Sequence, residues 1–172
     1  PHRALRRCTR RNPVAAAGRL ALGFYFSSQS HLQRHRCTNG SLSVKFSLLV
    51  TAAPCNSEAP ATALRFAKAA LESGHSIYRI FFFRDGIHNA STFSVSPQDE
   101  NNISAAWQDF CGEQQLDAVI CVSAAIKRGV LDAAESQRWQ RSGSNAAPQM
   151  SIGGLGLLTE AIIHSDRVVT FG

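Results

Sequence analysis

The segment Ile77–Phe83, IYRIFFF, is apolar along nearly its whole length and is interrupted chiefly by Arg79. A strand with one wet face alternates apolar and polar residues. A run without that alternation belongs to a strand covered on both faces, as in a parallel sheet flanked by helices. Four further short apolar runs read as strands: Val44–Val50, Leu116–Ile120, Met150–Ile152 and Arg167–Phe171. Helical patterns separate them. Ala61–Ser73 gathers Leu64, Phe66, Ala67, Ala70 and Leu71 on one side and is stopped by Gly74. Asp99–Glu113 spaces Ile103, Ala106, Trp107 and Phe110 as a helix does, and Leu131–Arg141 reads as a polar helix. The turn Gly153-Gly154-Leu155-Gly156 opens a last helix running to about His164, while Arg84–Gln98 and Ser142–Gln149 read as loops. Strands alternating with helices predict a three-layer α/β/α domain over residues 44–172, with a doubly wound, mostly parallel five-stranded sheet.

The formal charge of +6 is unevenly spread. Residues 1–43 hold eight arginines and no Asp, Glu or Lys, whereas residues 44–172 hold ten Lys or Arg against twelve Asp or Glu. The extension therefore carries +8 and the domain −2, so the basic balance is no argument for nucleic-acid binding by the domain. The extension is Arg-rich, acid-free and dotted with serine, and no methionine precedes Met150. Upstream sequence read through a misplaced start, with initiation at a valine start codon near Val44, produces this pattern. A disordered or unusual real extension, a transit peptide and an Arg-rich arm are the alternatives. Each predicts little packing by residues 1–43.

The five cysteines, Cys8, Cys37, Cys55, Cys111 and Cys121, form an odd set with no CxxC and no paired Cys/His spacing. Neither a disulfide framework nor a structural zinc is indicated, and a reduced, cytoplasmic protein is expected. No apolar run approaches the roughly 18–20 residues that span a bilayer, so no membrane contact is expected.

Chemistry points to Leu116–Val130, LDAVICVSAAIKRGV. Cys121 stands where a buried strand runs out, and Ser123–Arg128 reads as a helical turn closed by Gly129. Ligand sites of open α/β sheets gather at the carboxyl ends of strands. There a helix start at Val122 and Ser123, or the cations Lys127 and Arg128, would stabilise a thiolate. Lys127 and Arg128 lie about a turn away and suit docking of an acidic partner better than chemistry. Equally, Cys121 reads as a small apolar residue ending a core strand. Cys55 is the rival thiol, in the loop after the first strand, and could pair with Cys121 if their strands are neighbours. Cys111 lies toward a helix end and reads as packing.

Other motifs read as structural. Gly153–Gly156 lacks the GxGxxG and GxxxxGK[ST] patterns and suits a tight turn. Asp85, His88, Asp99 and Glu100 lack metal-site spacing and suit a solvated loop. His75 follows Gly74 at a helix end and reads as a cap or a surface residue. Ile87 and Phe93 are the expected exposed interface positions.

Residues 44–172 resemble, over essentially their whole length, the DsrE/TusD sulfur-relay family, and among its branches most closely TusD. The resemblance is carried in order by VKFSLLV, RFAKAALESGH, IFFFRDGIHNAS, SPQDE, CVSAAIKRGV and GGLGLLTEAIIHSDRVVTFG. It implies a DsrE-like fold of the flavodoxin-like class and a persulfide-carrying sulfurtransferase, with Cys121 holding the sulfur as a transient persulfide. It implies a heterohexamer with TusB-like and TusC-like subunits, a TusA-like sulfur donor and a TusE-like acceptor, serving 2-thiouridine formation at the tRNA wobble position. No metal, nucleotide or flavin and no direct nucleic-acid contact is implied. The DsrE branch, acting in dissimilatory sulfur oxidation, and a non-catalytic subunit of the same complex are the alternatives.

Overall fold

In the computed structural model, which describes residues 43–172, the apolar run at Ile77–Phe83 lies in the central strand of a five-stranded, wholly parallel sheet. The reading of residues 1–43 as an extension lies outside the described residues, apart from Ser43. In chain order the elements are β1 (Lys45–Val50), α1 (Ala59–Glu72), β2 (Ser76–Phe82), α2 (Ile103–Glu113), β3 (Ala118–Cys121), α3 (Val122–Arg128), α4 (Ala133–Arg138), β4 (Ser151–Gly153), α5 (Leu155–His164) and β5 (Arg167–Phe171). The sheet order is β4-β3-β2-β1-β5.

That order decides which face each helix covers. The steps β1 to β2, β2 to β3 and β3 to β4 all run in one direction across the sheet, so right-handed crossovers put α1, α2 and the α3–α4 segment on one face. The step from β4 back to β5 runs the other way and puts α5 on the opposite face. Side chains agree. On β2, Phe82 meets the α2 residue Trp107 edge-on at 5.4 Å, whereas Arg79 donates to the Leu157 carbonyl and Glu160 Oε2 of α5, each at 2.8 Å.

The core lies under α1 and α2. Leu48, Val50, Ile80, Phe82 and Trp107 are fully buried, and each such side chain contributes about 1.5–3 kcal/mol through burial. Trp107 keeps its one polar atom satisfied by donating from Nε1 to the Pro60 carbonyl at 3.2 Å. Phe66 of α1 bridges two strands, with ring centroids 5.3 Å from Phe46 on β1 and 5.7 Å from Phe171 on β5.

Several boundaries differ from the sequence expectation. Asp99–Asn102 is not helical: Asn102 caps α2, its Oδ1 accepting from Ala105 N at 3.0 Å, so the helix starts at Ile103. The helix expected over Leu131–Arg141 spans only Ala133–Arg138. Leu131 N is held by Asn145 Oδ1 at 2.8 Å, Asp132 is the cap, and Gln140 turns to φ +53°. The loop after β2 holds a 3₁₀ segment, Arg84–Ala90. Within it Ile87, expected on the surface, is fully buried. Gly86 allows this by passing so close to β1 that a Cβ would lie 2.1 Å from the Val50 carbonyl oxygen. His75 closes the end of α1 through its backbone, N donating to the Ala70 carbonyl at 3.0 Å, while its Nδ1 accepts from Val44 N at 3.3 Å and its ring meets Phe46.

Candidate functional site

Cys121 is the last residue of β3 and the N-cap of α3. Across the sheet it pairs with Gly153, the last residue of β4. The helix that follows β3 goes to one face and the helix that follows β4 to the other. The carboxyl ends of these two strands are therefore a topological switch point, where open α/β sheets place their ligands. Cys121 occupies it.

The backbone there reads directly from the residues. Ala118–Ile120 is fully enclosed strand. At Cys121 the chain is still extended (φ −62°, ψ 117°), and Ala124 and Ala125 then turn α3 inward. Gly129, at φ +71°, ends the helix in the left-handed conformation that glycine takes without strain. Among the described residues no side chain caps α3, so its first-turn amides next to Cys121 keep donors to spare. Val122 is half-buried and Ser123 exposed.

Alternation along β3 puts Cys121 on the same face as Val119 and Asp117, the face that α5 covers. A Cβ on Gly153 would lie 2.5 Å from Leu157 Cδ1 and 3.0 Å from Val119 Cγ1, which locates the first turn of α5 against this spot. Cys121 is not open at the sheet rim: in the chain alone it is 1% exposed. It belongs to the buried core cluster, together with Val119, Ala124 and Ala125.

The cations expected nearby are not at the thiol. Lys127 and Arg128 sit at the far end of α3, about 9–10 Å along the axis from Cys121. Arg128 is committed to Asp85, with Nε donating to Oδ1 at 2.7 Å, and Lys127 is exposed. This pair ties α3 to the 3₁₀ segment.

The rival thiols separate cleanly. Cys55 is exposed, and the conditional pairing with Cys121 does not arise because β2 lies between β1 and β3. Cys55 instead helps line a cleft of about 550 Å³ with Glu58, Arg65, Asp99 and Asn102, and Cys121 is not among its lining residues. Cys111 is buried in α2, where burial pushes its thiol up to about 12. Among the described residues no cluster of His, Cys, Asp or Glu is arranged to hold a metal. No helix among them is long and apolar enough to cross a membrane.

The sequence reading missed an ion cluster beneath α5. Arg79 is buried and donates to Asp117 Oδ2 at 2.7 Å as well as to α5. Burial works against its charge, but the bonds to Glu160 and Asp117 outweigh that and raise its pKa. The bond from Arg79 in turn holds the Glu160 carboxyl below its usual range. The lone cation inside IYRIFFF was the available signal.

Residues 44–171 match the family model described as DsrE/DsrF-like. The TusD homolog sulfurtransferase of Pseudomonas aeruginosa is 48% identical over 119 residues, 69% of this chain and 91% of that protein. The DsrE protein of Allochromatium vinosum is 42% identical over 129 residues, 75% of this chain and 99% of that one. The sulfurtransferase TusD of Cronobacter sakazakii is 40% identical over 128 residues, 74% of this chain and all of that one. Among solved structures the ychN protein of E. coli superposes with a TM-score of 0.60 at 23% identity, covering 74% of this chain and 99% of that one, a likeness of fold.

Proposed function

The chain belongs to the DsrE/DsrF-like family, and on that premise we propose that it is a sulfurtransferase that carries sulfane sulfur on Cys121. The observation that carries this reading is the position of Cys121 at the switch point between β3 and β4, in a chain whose relatives are named sulfurtransferases.

The chemistry is two thiol exchanges. The Cys121 thiolate attacks the outer sulfur of a donor persulfide. The S–S bond of the donor breaks and its cysteine leaves as thiolate, while Cys121 becomes the persulfide. An acceptor thiolate then attacks that same outer sulfur, and Cys121 leaves as thiolate with the bonding electrons. No net oxidation occurs. The unfilled amides of the first turn of α3 are suited to bear the negative charge that Cys121 holds at the start and end of this cycle. Because Cys121 is enclosed in the chain alone, each exchange requires that the thiol be uncovered.

In the fuller form of the proposal the donor is a TusA-like protein and the acceptor a TusE-like protein. TusB-like and TusC-like subunits complete a cytoplasmic heterohexamer, and the sulfur ends in 2-thiouridine at the tRNA wobble position. The names of the TusD relatives support this form. Two observations favour other readings. The Allochromatium DsrE is similar to the same degree, which favours the same transfer in dissimilatory sulfur oxidation. Genes for a dissimilatory sulfite reductase beside this one would select that reading. The burial of Cys121 is what a packing cysteine shows, and favours a non-catalytic subunit. Cells carrying only a Cys121→Ser copy are the test. The proposal expects tRNA thiolation to be lost; full thiolation would reject it.

A further inference from the structure

Among the described residues the exposed large aromatics are Phe93, at 73%, and Trp139, at 48%. They stand 46 positions apart in the sequence and line the same groove, of about 400 Å³, together with Ile126, Leu131, Arg141 and Asn145. The exchange chemistry above uses none of these side chains.

The groove is already built in the chain alone. Thr92 N donates to the Asn145 carbonyl at 2.8 Å and Ser91 bridges Ala146, which stitches the segment bearing Phe93 to the opposite wall. Asn145 Oδ1 accepts from Leu131 N at 2.8 Å. The Trp139 indole donates from Nε1 to Glu135 Oε2 at 2.9 Å, which fixes the ring in its exposed position. Aromatic side chains held open in this way lose little freedom when a partner covers them, and they are the residues on which binding energy concentrates.

Charge selects the occupant. Among the described residues the lining holds Arg141 and no carboxylate. The carboxylates of the adjoining helix are spent: Asp132 caps α4, and Glu135 is taken by Trp139 and Arg138. Arg128 is paired with Asp85, whereas Lys127 and Arg141 are exposed and have no ion-pair partner among the described residues. An apolar trough beside unpaired cations fits a segment that carries an apolar side chain next to carboxylates. A small ligand fits less well, because such pockets bury most of their ligand and one wall here is itself mostly exposed. Ile126 and Gly129 place the groove at the carboxyl end of α3, the helix that begins at Cys121. The helix rises about 7–8 Å from Cys121 to Ile126, a span that three extended residues of a partner can cover.

We propose that this groove docks an extended acidic segment of a protein that exchanges sulfur with Cys121, its apolar side chain lying against Phe93 and Trp139 and its carboxylates against Arg141 and Lys127. The inference rests on the sulfur-carrier reading for the identity of the partner but not for the docking itself.

The test selects random displayed peptides on the purified full chain and measures binding of the labelled consensus peptide to wild type, Phe93→Ser, Trp139→Ala and Arg141→Met, with Ile163→Ser as control. Enriched sequences are expected to join an aromatic or large aliphatic residue to Asp or Glu. Phe93→Ser and Trp139→Ala are each expected to weaken binding roughly five- to thirtyfold at unchanged melting temperature. Arg141→Met should weaken it and flatten its salt dependence, and Ile163→Ser should leave it unchanged. No enrichment over a selection without the chain, an enriched set lacking acidic residues, or equal binding by all variants would overturn the docking site. Sulfur loading of Cys121 from inorganic polysulfide, which has no segment to dock, is followed in parallel. Groove-dependent binding with no sulfur ever found on Cys121 would leave the docking site standing and remove the carrier reading. Loading of Cys121 in a chain that selects no peptide would do the reverse.

Discussion

On one face of the sheet Leu48, Val50, Ile80 and Phe82 meet α1 and α2 with no side chain left to water. On the other face a single helix among the described residues, α5, lies over the parallel strands. Of its apolar residues only Ala161 is fully buried, while Leu155, Ile162 and Ile163 are exposed, as is Val168 on the adjoining β5. The first face is held by close packing alone; the second buries Phe81 and Val119 and adds one buried arginine with its two carboxylates. Two apolar layers of such unequal closure indicate unequal tasks. The tight face carries most of the buried core, and the face with the more exposed helix borders Cys121.

The contrast is broken most severely from the tight side. Trp107→Ala removes a fully buried aromatic and is expected to cost about 3–5 kcal/mol in denaturant unfolding. A loss below 1 kcal/mol would mean that this face is no better packed than the other. Arg79→Met is expected to cost less, about 1–2 kcal/mol, since Asp117 and Glu160 stay in contact with water and need not remain buried without a partner. The loss should appear first as faster hydrogen exchange in α5 rather than in α2.

The acid limb sharpens the same point. The folded-state pKa of Glu160 lies below its unfolded value, so its contribution is present above the ordinary carboxylate range and fades as pH falls through the lowered value. Glu160→Gln should flatten that limb, and an unchanged slope would remove the ion cluster from the account of how α5 is held. Smallest of all, Ile163→Ser, on the open face at 71% exposure, should leave the stability of the chain within about 0.5 kcal/mol. A larger loss would show that the face is closed in the isolated chain after all.

Much of this division was legible in the residues. The unbroken apolar character of IYRIFFF set β2 in the middle of a two-sided sheet, and β5 spans Arg167–Phe171 as its β-branched run suggests. The switch-point cysteine followed from a strand that ends where a helix starts. What failed was whatever depended on distant partners. Asp99, Asn101 and Asn102 can all act as caps, and only the bond from Ala105 N selects Asn102. Ile87 sits among turn-formers and is buried only because Gly86 lets the 3₁₀ segment lie against β1. The enclosure of Cys121 depends on how the elements around the end of β3 pack, which the residues flanking the thiol do not encode.

The central claim is that Cys121 takes up and holds a second sulfur atom. Incubating the purified chain with a persulfidated donor protein carrying labelled sulfur, then mapping the label by peptide mass spectrometry, measures this directly. The account predicts one added sulfur on the Cys121 peptide, released by an acceptor thiol and absent from Cys121→Ser, with Cys111 unlabelled. Equal labelling of wild type and Cys121→Ser would contradict it.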